Sequence, residues 1–211
     1  MQIVRSILGP IQTNVYFVYS PETKEGVIID PAAEPEKIRK IVSDEGFRPK
    51  AVFLTHGHFD HISAADEIRS FYGVKIYALD KERETLADPR LNGDAGFLKQ
   101  NVRVVPDVFW HDGEEFQCLG ETWKVIWTPG HTPGGCCLYI PGEKVIFVGD
   151  TLFRGSYGRY DLAGGSFTDI EKSLKEKLFT LPDDVVAFPG HMDETTIGFE
   201  KKNNAILYSS Y

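Results

Sequence analysis

Three cysteines in 211 residues, Cys118, Cys136 and Cys137, are too few for a disulfide framework, and the adjacent pair cannot easily bridge to itself. They read as buried or half-buried strand residues. The amino terminus, MQIVRSILGPIQTNVYFVY, lacks a basic region followed by a long apolar one and a small-residue cleavage site. No stretch approaches the roughly 18 uninterrupted apolar residues that cross a bilayer. Together these absences predict a reducing, cytoplasmic setting without membrane association. Positive charge is short as well: 23 Lys and Arg against 31 Asp and Glu leave a net charge of -8 and a pI near 5.3. Nucleic-acid binders carry a basic excess or a basic face, so no nucleic-acid partner is expected, although a local basic pocket for a small anion is compatible with this balance. Low-complexity linkers and charged tails are absent too. With 42% apolar and 12% aromatic residues the chain suffices for one full core, and a single domain over residues 1–211 is the expectation.

β-rich runs occupy residues 2–8, 14–20 and 25–30, separated by Gly9, Pro10 and Pro21, and predict an antiparallel opening. Residues 34–46 place Ile38, Ile41 and Val42 on one helical face and end in Gly46, suited to a left-handed cap. AVFLT at 51–55 reads as a buried strand, and Ile62, Ala65, Ile68 and Phe71 or Tyr72 mark a helix stopped by Gly73. A strand at 74–79, a short helix begun by Asp80 and broken before Pro89, and a loop at 88–100 follow. In the second half VRVVPDVFW, EEFQCLG, TWKVIWT, GCCLYI and KVIFVGD are strands divided by glycine and proline, several of them hairpins. Thr168 and Glu171 match a capping box for a helix over 168–180, with Ile170, Leu174 and Leu178 as its apolar stripe. DVVAFPGH is one more strand, and a short helix begins near Phe199.

Histidine is also scarce, yet three of the six histidines and one aspartate crowd into THGHFDH at 55–61. Four apolar strands end in a potential metal ligand: VFLT before His56, VIWTPG before His131, VIFVG before Asp150 and VVAFPG before His191. Strands lying side by side would bring these ends to one rim. Pro-Gly-His occurs twice, at 129–131 and 189–191, consistent with two related halves. Neutral imidazole and carboxylate suit borderline cations such as zinc, and pairs spaced by one residue can face one ion from a turn. Only His111, in FWHDGEEF, falls outside this set and reads as a surface or strand-end residue.

THGHFDH, the histidine of TPGHTPG, the aspartate of GDTLF and the histidine of FPGH together resemble the metallo-β-lactamase superfamily pattern H-x-H-x-D-H…H…D…H, over about residues 14–200. The resemblance implies an α+β fold, an αββα sandwich in which two facing mixed β-sheets are flanked by helices, with metals at one edge. It further implies that His56, His58 and His131 hold a first metal, that Asp60, His61 and His191 hold a second, and that Asp150 bridges them. The bridging role suits a carboxylate, which can span two cations where an imidazole nitrogen cannot. Two divalent ions are implied, zinc foremost with iron or manganese as alternatives, and between them a bridging hydroxide nucleophile held and oriented by Asp60 and Asp150.

GDTLFRGSYGRYDLAGGSF resembles the glyoxalase II branch, which hydrolyses S-2-hydroxyacylglutathione to a hydroxy acid and glutathione in methylglyoxal detoxification. Arg159 matches a cation that this branch directs at the glutathione glycine carboxylate, with Tyr160 as a second contact and Arg154 as a third. The implied partner is a small glutathione-linked thioester. Longer members carry a helical extension after the last histidine, whereas 20 residues follow His191 here, and Met192 and Asp193 replace the usual aromatic. The chain therefore resembles short, single-domain microbial members without a helical glutathione-binding domain. Lys201 and Lys202 read as a solvated helix face. Within the superfamily a lactonase shares all seven ligands, and a mononuclear-iron persulfide dioxygenase uses the equivalents of His56, His131 and Asp150. A zinc β-lactamase is disfavoured by Asp150, where the best-known enzymes have cysteine, and a nuclease by the acidic charge.

Overall fold

The computed structural model describes residues 1–209, and Ser210 and Tyr211 lie outside the described residues. The β-branched and aromatic runs of the first half form a six-stranded sheet in sequential order: β1 (Gln2–Leu8), β2 (Thr13–Tyr19), β3 (Glu25–Ile29), β4 (Arg48–Phe53), β5 (Lys75–Leu79) and β6 (Val108–Trp110). β1 to β3 pair antiparallel as expected, and β3 to β6 pair parallel. The second sheet contains β7 (Glu115–Cys118), β8 (Glu121–Trp127), β9 (Cys136–Ile140), β10 (Val145–Gly149), β13 (Val186–Pro189) and β14 (Thr195–Thr196). β7 to β10 form consecutive hairpins, and β13 joins β10 in parallel. A separate small hairpin, β11 (Leu152–Phe153) with β12 (Ser156–Tyr157), follows Asp150.

Successive side chains of a strand point to opposite faces, so a strand covered on both sides must be apolar throughout. β2 and β10 are buried along their whole length. Val15 and Phe17 pack under helices α1 (Pro35–Glu45), α2 (Phe59–Ile62) and α3 (Ala65–Tyr72), while Tyr16 and Val18 face the other sheet. Phe147 lies in that inter-sheet core, where it stacks on Trp123, and Ile146 and Val148 face the opposite helical layer. That layer includes α5 (Phe167–Lys172) and α6 (Ile197–Asn203). The order is helices, sheet, sheet, helices, the expected αββα sandwich. All three cysteines are free, with Cys136 and Cys137 on opposite faces of β9.

Several elements differ locally from the sequence reading. The helix expected from residue 62 to 72 is two pieces, because Ala64 donates its N–H to Pro31 O at 3.0 Å and turns the chain between α2 and α3. The strand expected over 102–110 shortens to β6: Pro106 has no N–H to give a ladder, and Val104 bonds Leu86 O instead. Residues 80–87 split into a 3-10 turn at Asp80–Glu82 and α4 (Arg83–Ala87). Ser166 caps α5 by accepting from Asp169 N, in place of the predicted Thr168 box. The helix then widens into a π turn at Ser173–Lys177, yet Ile170, Leu174 and Leu178 are buried as expected. Among the described residues no helix is long and apolar enough to cross a membrane.

The two sheets are joined at the rim where their strands end. Cys136 N bonds Thr55 O at 2.8 Å, Asn14 N bonds Gly190 O at 2.7 Å, and Tyr16 OH donates to Pro189 O at 2.6 Å. A Cβ at Gly190 would overlap both Asp150 Oδ1 and His61, so only glycine lets this strand end approach the rim so closely.

Candidate metal centre

The ends of β4, β8, β10 and β13 bring all seven predicted ligands together. One group consists of His56, His58 and His131 and another of Asp60, His61 and His191, with the donor atoms of each group within 4.8 Å of one another. Asp150 lies between them: its Oδ1 is 3.3 Å from His61 Nε2, and its Oδ2 is 3.5 Å from His131 Nε2 and 3.4 Å from His191 Nε2. That placement suits a bridging carboxylate. His111 stays apart, exposed and 3.1 Å from Asp80.

Four of the five imidazoles have one nitrogen fixed by a neighbouring oxygen, which turns the other inward. His56 Nδ1 lies 3.1 Å from Thr55 Oγ1, His61 Nδ1 3.0 Å from Asp30 Oδ2, His131 Nδ1 2.7 Å from Arg159 O and His191 Nδ1 3.3 Å from Gln12 O. His58 is the exception and directs Nδ1 inward, 2.8 Å from His131 Nε2. Thr13 Oγ1 donates to Asp60 Oδ2 at 2.9 Å and so orients that carboxylate.

Three buried carboxylates that sequence reasoning missed support this arrangement. Asp30 accepts from Thr55 N at 2.8 Å and from Thr55 Oγ1 at 2.6 Å as well as meeting His61. It also forms a compact group with His56 and His61, but its hydrogen bonds make it an orienting residue for His61. Its signal was present in EGVIID, a fifth apolar strand ending in an acid. Glu82 accepts from Gly57 N at 2.9 Å, between two ligand histidines, and from Gly134 N at 2.6 Å, just beyond His131. One carboxylate thus ties two ligand loops together, and burial pushes it up to about 7 despite these donors. Glu200, in α6, accepts the Gly155 N–H at 3.0 Å, while Asn204 Nδ2 bonds Ser156 O at 2.7 Å. The carboxyl-terminal segment therefore clamps the β11–β12 hairpin.

The two histidine groups differ electrostatically. Burial and neighbouring imidazoles hold His56 and His58 well below the usual histidine range, and burial lowers His131. Burial acts the same way on His61, but the carboxylates of Asp150 and Asp60 outweigh it and raise this residue well above the ordinary value. Asp60 and Asp150 likewise raise His191 against its burial. The desolvated Asp150 is nonetheless held well below the carboxylate range by His61, His131 and His56. Burial pushes the thiols of Cys118 and Cys137 up to about 12, which disqualifies both as nucleophiles.

A cavity of about 530 Å³ opens over these ligands, within the usual range for small-molecule sites. His58, Asp60, His131, Asp150 and His191 form its floor, and Arg159 stands in its wall. The Arg159 guanidinium is engaged by Asp161 through two bonds of 2.8 and 2.9 Å. Arg154 and Tyr160 do not line the cavity. Arg154 sits over the Phe199 ring, Tyr160 packs against Phe167, and Tyr157 occupies the wall instead. Lys201 bonds Asp183 and Leu181 O, in keeping with a helix-surface role.

The Metallo-beta-lactamase superfamily model matches residues 8–191. Among curated proteins, the chain is 33% identical to the hydroxyacylglutathione hydrolase GloC of Haemophilus influenzae, over 94% of each chain. Among solved structures it is similar to the BLEG-1 B3 metallo-beta-lactamase, with a TM-score of 0.93, 37% identity and coverage of 99% of this chain and 100% of that one. TTHA1623 in a di-iron-bound form gives a TM-score of 0.83 and 33% identity over 96% of this chain and 98% of that one. With its sandwich, its His/Asp metal site and this match over most of its length, the chain belongs to the metallo-beta-lactamase superfamily of metal-dependent hydrolases.

Proposed function

We propose that the protein is a thioesterase that hydrolyses S-2-hydroxyacylglutathione, releasing a hydroxy acid and glutathione, at a centre of two divalent metal ions. The observation that carries this reading is the pair of His/Asp groups with Asp150 between them on the floor of a cavity whose wall holds Arg159. The similarity to GloC supports it. The donor set fits metal: among the described residues, His56 Nε2 and Asp150 Oδ1 are buried without a hydrogen-bond partner. His58 Nδ1 and His131 Nε2, 2.8 Å apart, also need a proton or a cation between their lone pairs.

His56, His58 and His131 would hold one ion, Asp60, His61 and His191 the other, and Asp150 both. When bound, such ions polarise a carbonyl and bring the pKa of a coordinated water to about 7. The side chains do the rest. Asp60, fixed by Thr13, and Asp150 orient the attacking oxygen over the floor, and the apolar wall limits access of bulk water. Arg159 binds the glycine carboxylate by exchanging it for Asp161. The departing thiolate has a conjugate acid near pKa 8.5, so no side chain has to act as its proton donor. Iron stands beside zinc as a candidate metal, because the similar TTHA1623 binds two irons.

Metal analysis of the purified protein, paired with S-D-lactoylglutathione turnover, tests the reading. Two metal equivalents per chain and thioester hydrolysis are expected. A single iron with oxygen uptake on glutathione persulfide would overturn it in favour of a dioxygenase, and faster cleavage of lactones than of thioesters in favour of a lactonase.

A further inference from the structure

The wall of the cavity divides into two unlike sides. Arg159 belongs to the His131 side, because its carbonyl receives His131 Nδ1 at 2.7 Å. Ile11, Phe97 and Met192 belong to the Asp60 and His191 side. Met192 directly follows His191, and Ile11 directly precedes Gln12, whose carbonyl receives His191 Nδ1 at 3.3 Å. Phe97 stacks on Phe59, the residue between His58 and Asp60, at 5.3 Å and 27°.

Large apolar side chains left in water at a cavity mouth mark a surface that binds something apolar. Phe97 is 59% exposed and Met192 61%, yet both are held by a specified backbone. Met192 takes φ 66°, a left-handed conformation that is strained for a side chain of this kind. Its carbonyl is fixed by Asn14 Nδ2 at 2.8 Å and Arg5 Nη1 at 3.0 Å. The loop bearing Phe97 closes around Asp94, a fully buried carboxylate that accepts from Asn101 N at 2.7 Å and from Val102 N and Gln100 N at 3.3 Å. Asn92, the polar residue of this part of the lining, is fully buried, with its amide committed to Val102 O and Asp94 N. A hydroxyl on the acyl group would find no free amide there, whereas a hydrocarbon would meet three apolar side chains.

We propose that this side of the cavity is an acyl subsite for apolar alkyl or aryl acyl groups larger than lactoyl, with the carboxylate-bearing thiol of the substrate on the Arg159 side. The inference rests on the thioesterase reading and extends its acyl range: 2-hydroxyacyl thioesters are cleaved, and larger apolar acyl groups without the hydroxyl are cleaved faster. A thioester straddling the floor places its two halves in these two unlike environments. Transfer of hydrocarbon from water to the wall then favours longer acyl chains.

The test is the specificity series of the metal-loaded protein with S-acetyl-, S-lactoyl-, S-hexanoyl- and S-phenylacetylglutathione. kcat/KM is expected to rise at least about tenfold from acetyl to hexanoyl, mainly through KM, with phenylacetyl also above lactoyl. In the Phe97→Ser, Met192→Ser double variant the hexanoyl-to-acetyl ratio should fall to about one; a ratio cancels any general loss of turnover. Val105→Ser, which changes another exposed apolar residue outside the cavity, should keep the parental ratio. Calorimetry with the non-hydrolysable S-hexyl- and S-methylglutathione should reproduce the preference and lose it in the double variant. A flat series, or lactoyl above hexanoyl, overturns the subsite. Hydrolysis of no thioester, with the hexyl preference intact in calorimetry, sinks the thioesterase reading and leaves the subsite standing.

Discussion

The floor and the wall of the cavity are built by opposite means. On the floor, polar side chains are buried and most are fixed by a second bond: His61 by Asp30, His131 by the Arg159 carbonyl, Asp60 by Thr13. On the wall, apolar side chains are exposed, and what is fixed is the backbone beneath them, at Met192 through Asn14 and around Phe97 through Asp94. A floor residue therefore has few tolerated substitutes, because its charge, geometry and partner all matter. A wall residue can change identity while the chain beneath it stays in place. On the proposed reading the chemistry is invested in the first region and the choice of substrate in the second.

The sharpest way to break this contrast is at Asp150, which lies between the two His/Asp groups and is the proposed shared ligand. Asp150→Ala should bring metal content below two per chain and lower kcat/KM well beyond the roughly 10–100-fold that loss of an outer partner costs. Elemental analysis with steady-state kinetics checks this, and two retained metals with parental turnover would refute the shared-ligand arrangement. Asp30→Asn removes one such outer partner while preserving volume. It should weaken metal binding by about 10–100-fold, chiefly at the ion held by His61, as read by competition with a chromophoric chelator. Equal affinity in parent and variant would mean that packing alone orients His61.

The same contrast explains what was legible in the sequence. The convergence of the seven His and Asp residues could be read because each member ends an apolar strand or follows such an end within a few residues, and because metal chemistry restricts the residue types. The sandwich was legible only through the family resemblance that the ligand pattern carries; strands buried on both faces, such as VIFVG, agree with it. Glu82 and Glu200 were not legible: in sequence each is an acid in a charged segment, and its burial follows from N–H groups supplied by distant loops, Gly57 and Gly134 in one case and Gly155 in the other. The wall was legible only in part. Arg159 was identified from its loop, but Tyr157 lines the cavity while Tyr160, three residues later and beyond the β11–β12 hairpin, packs against Phe167. Phe97 lay in a stretch read simply as loop, because Asp94 organises it through backbone contacts that leave no periodic pattern.

Within the floor, the two ligand groups should separate on acidification. A metal must displace any proton on its ligands. In the metal-free protein His61 and His191 hold their protons to higher pH than an ordinary histidine, whereas His56, His58 and His131 give theirs up at lower pH. As pH falls through the ordinary histidine range, protons compete for the Asp60, His61 and His191 group first. Metal content measured after dialysis at descending pH should therefore pass through a plateau near one per chain before reaching zero. Loss of both ions in a single step would show that Asp150 couples the two groups more strongly than their imidazoles distinguish them.

The smallest effect is expected on the wall, at Arg159. Its guanidinium is largely exposed and already paired with Asp161, so a substrate carboxylate gains only the difference between two similar partners. Exposed ion pairs contribute little, and Arg159→Ala should raise KM for glutathione thioesters by at most about fivefold with kcat unchanged. Asp161→Asn supplies the opposite sign, because it frees the guanidinium from its competitor and should lower KM by a comparable factor. Both shifts should shrink as ionic strength rises, since screening acts on exposed charges. A large fall in kcat for Arg159→Ala would instead place this residue with the floor, acting through the carbonyl that holds His131 Nδ1.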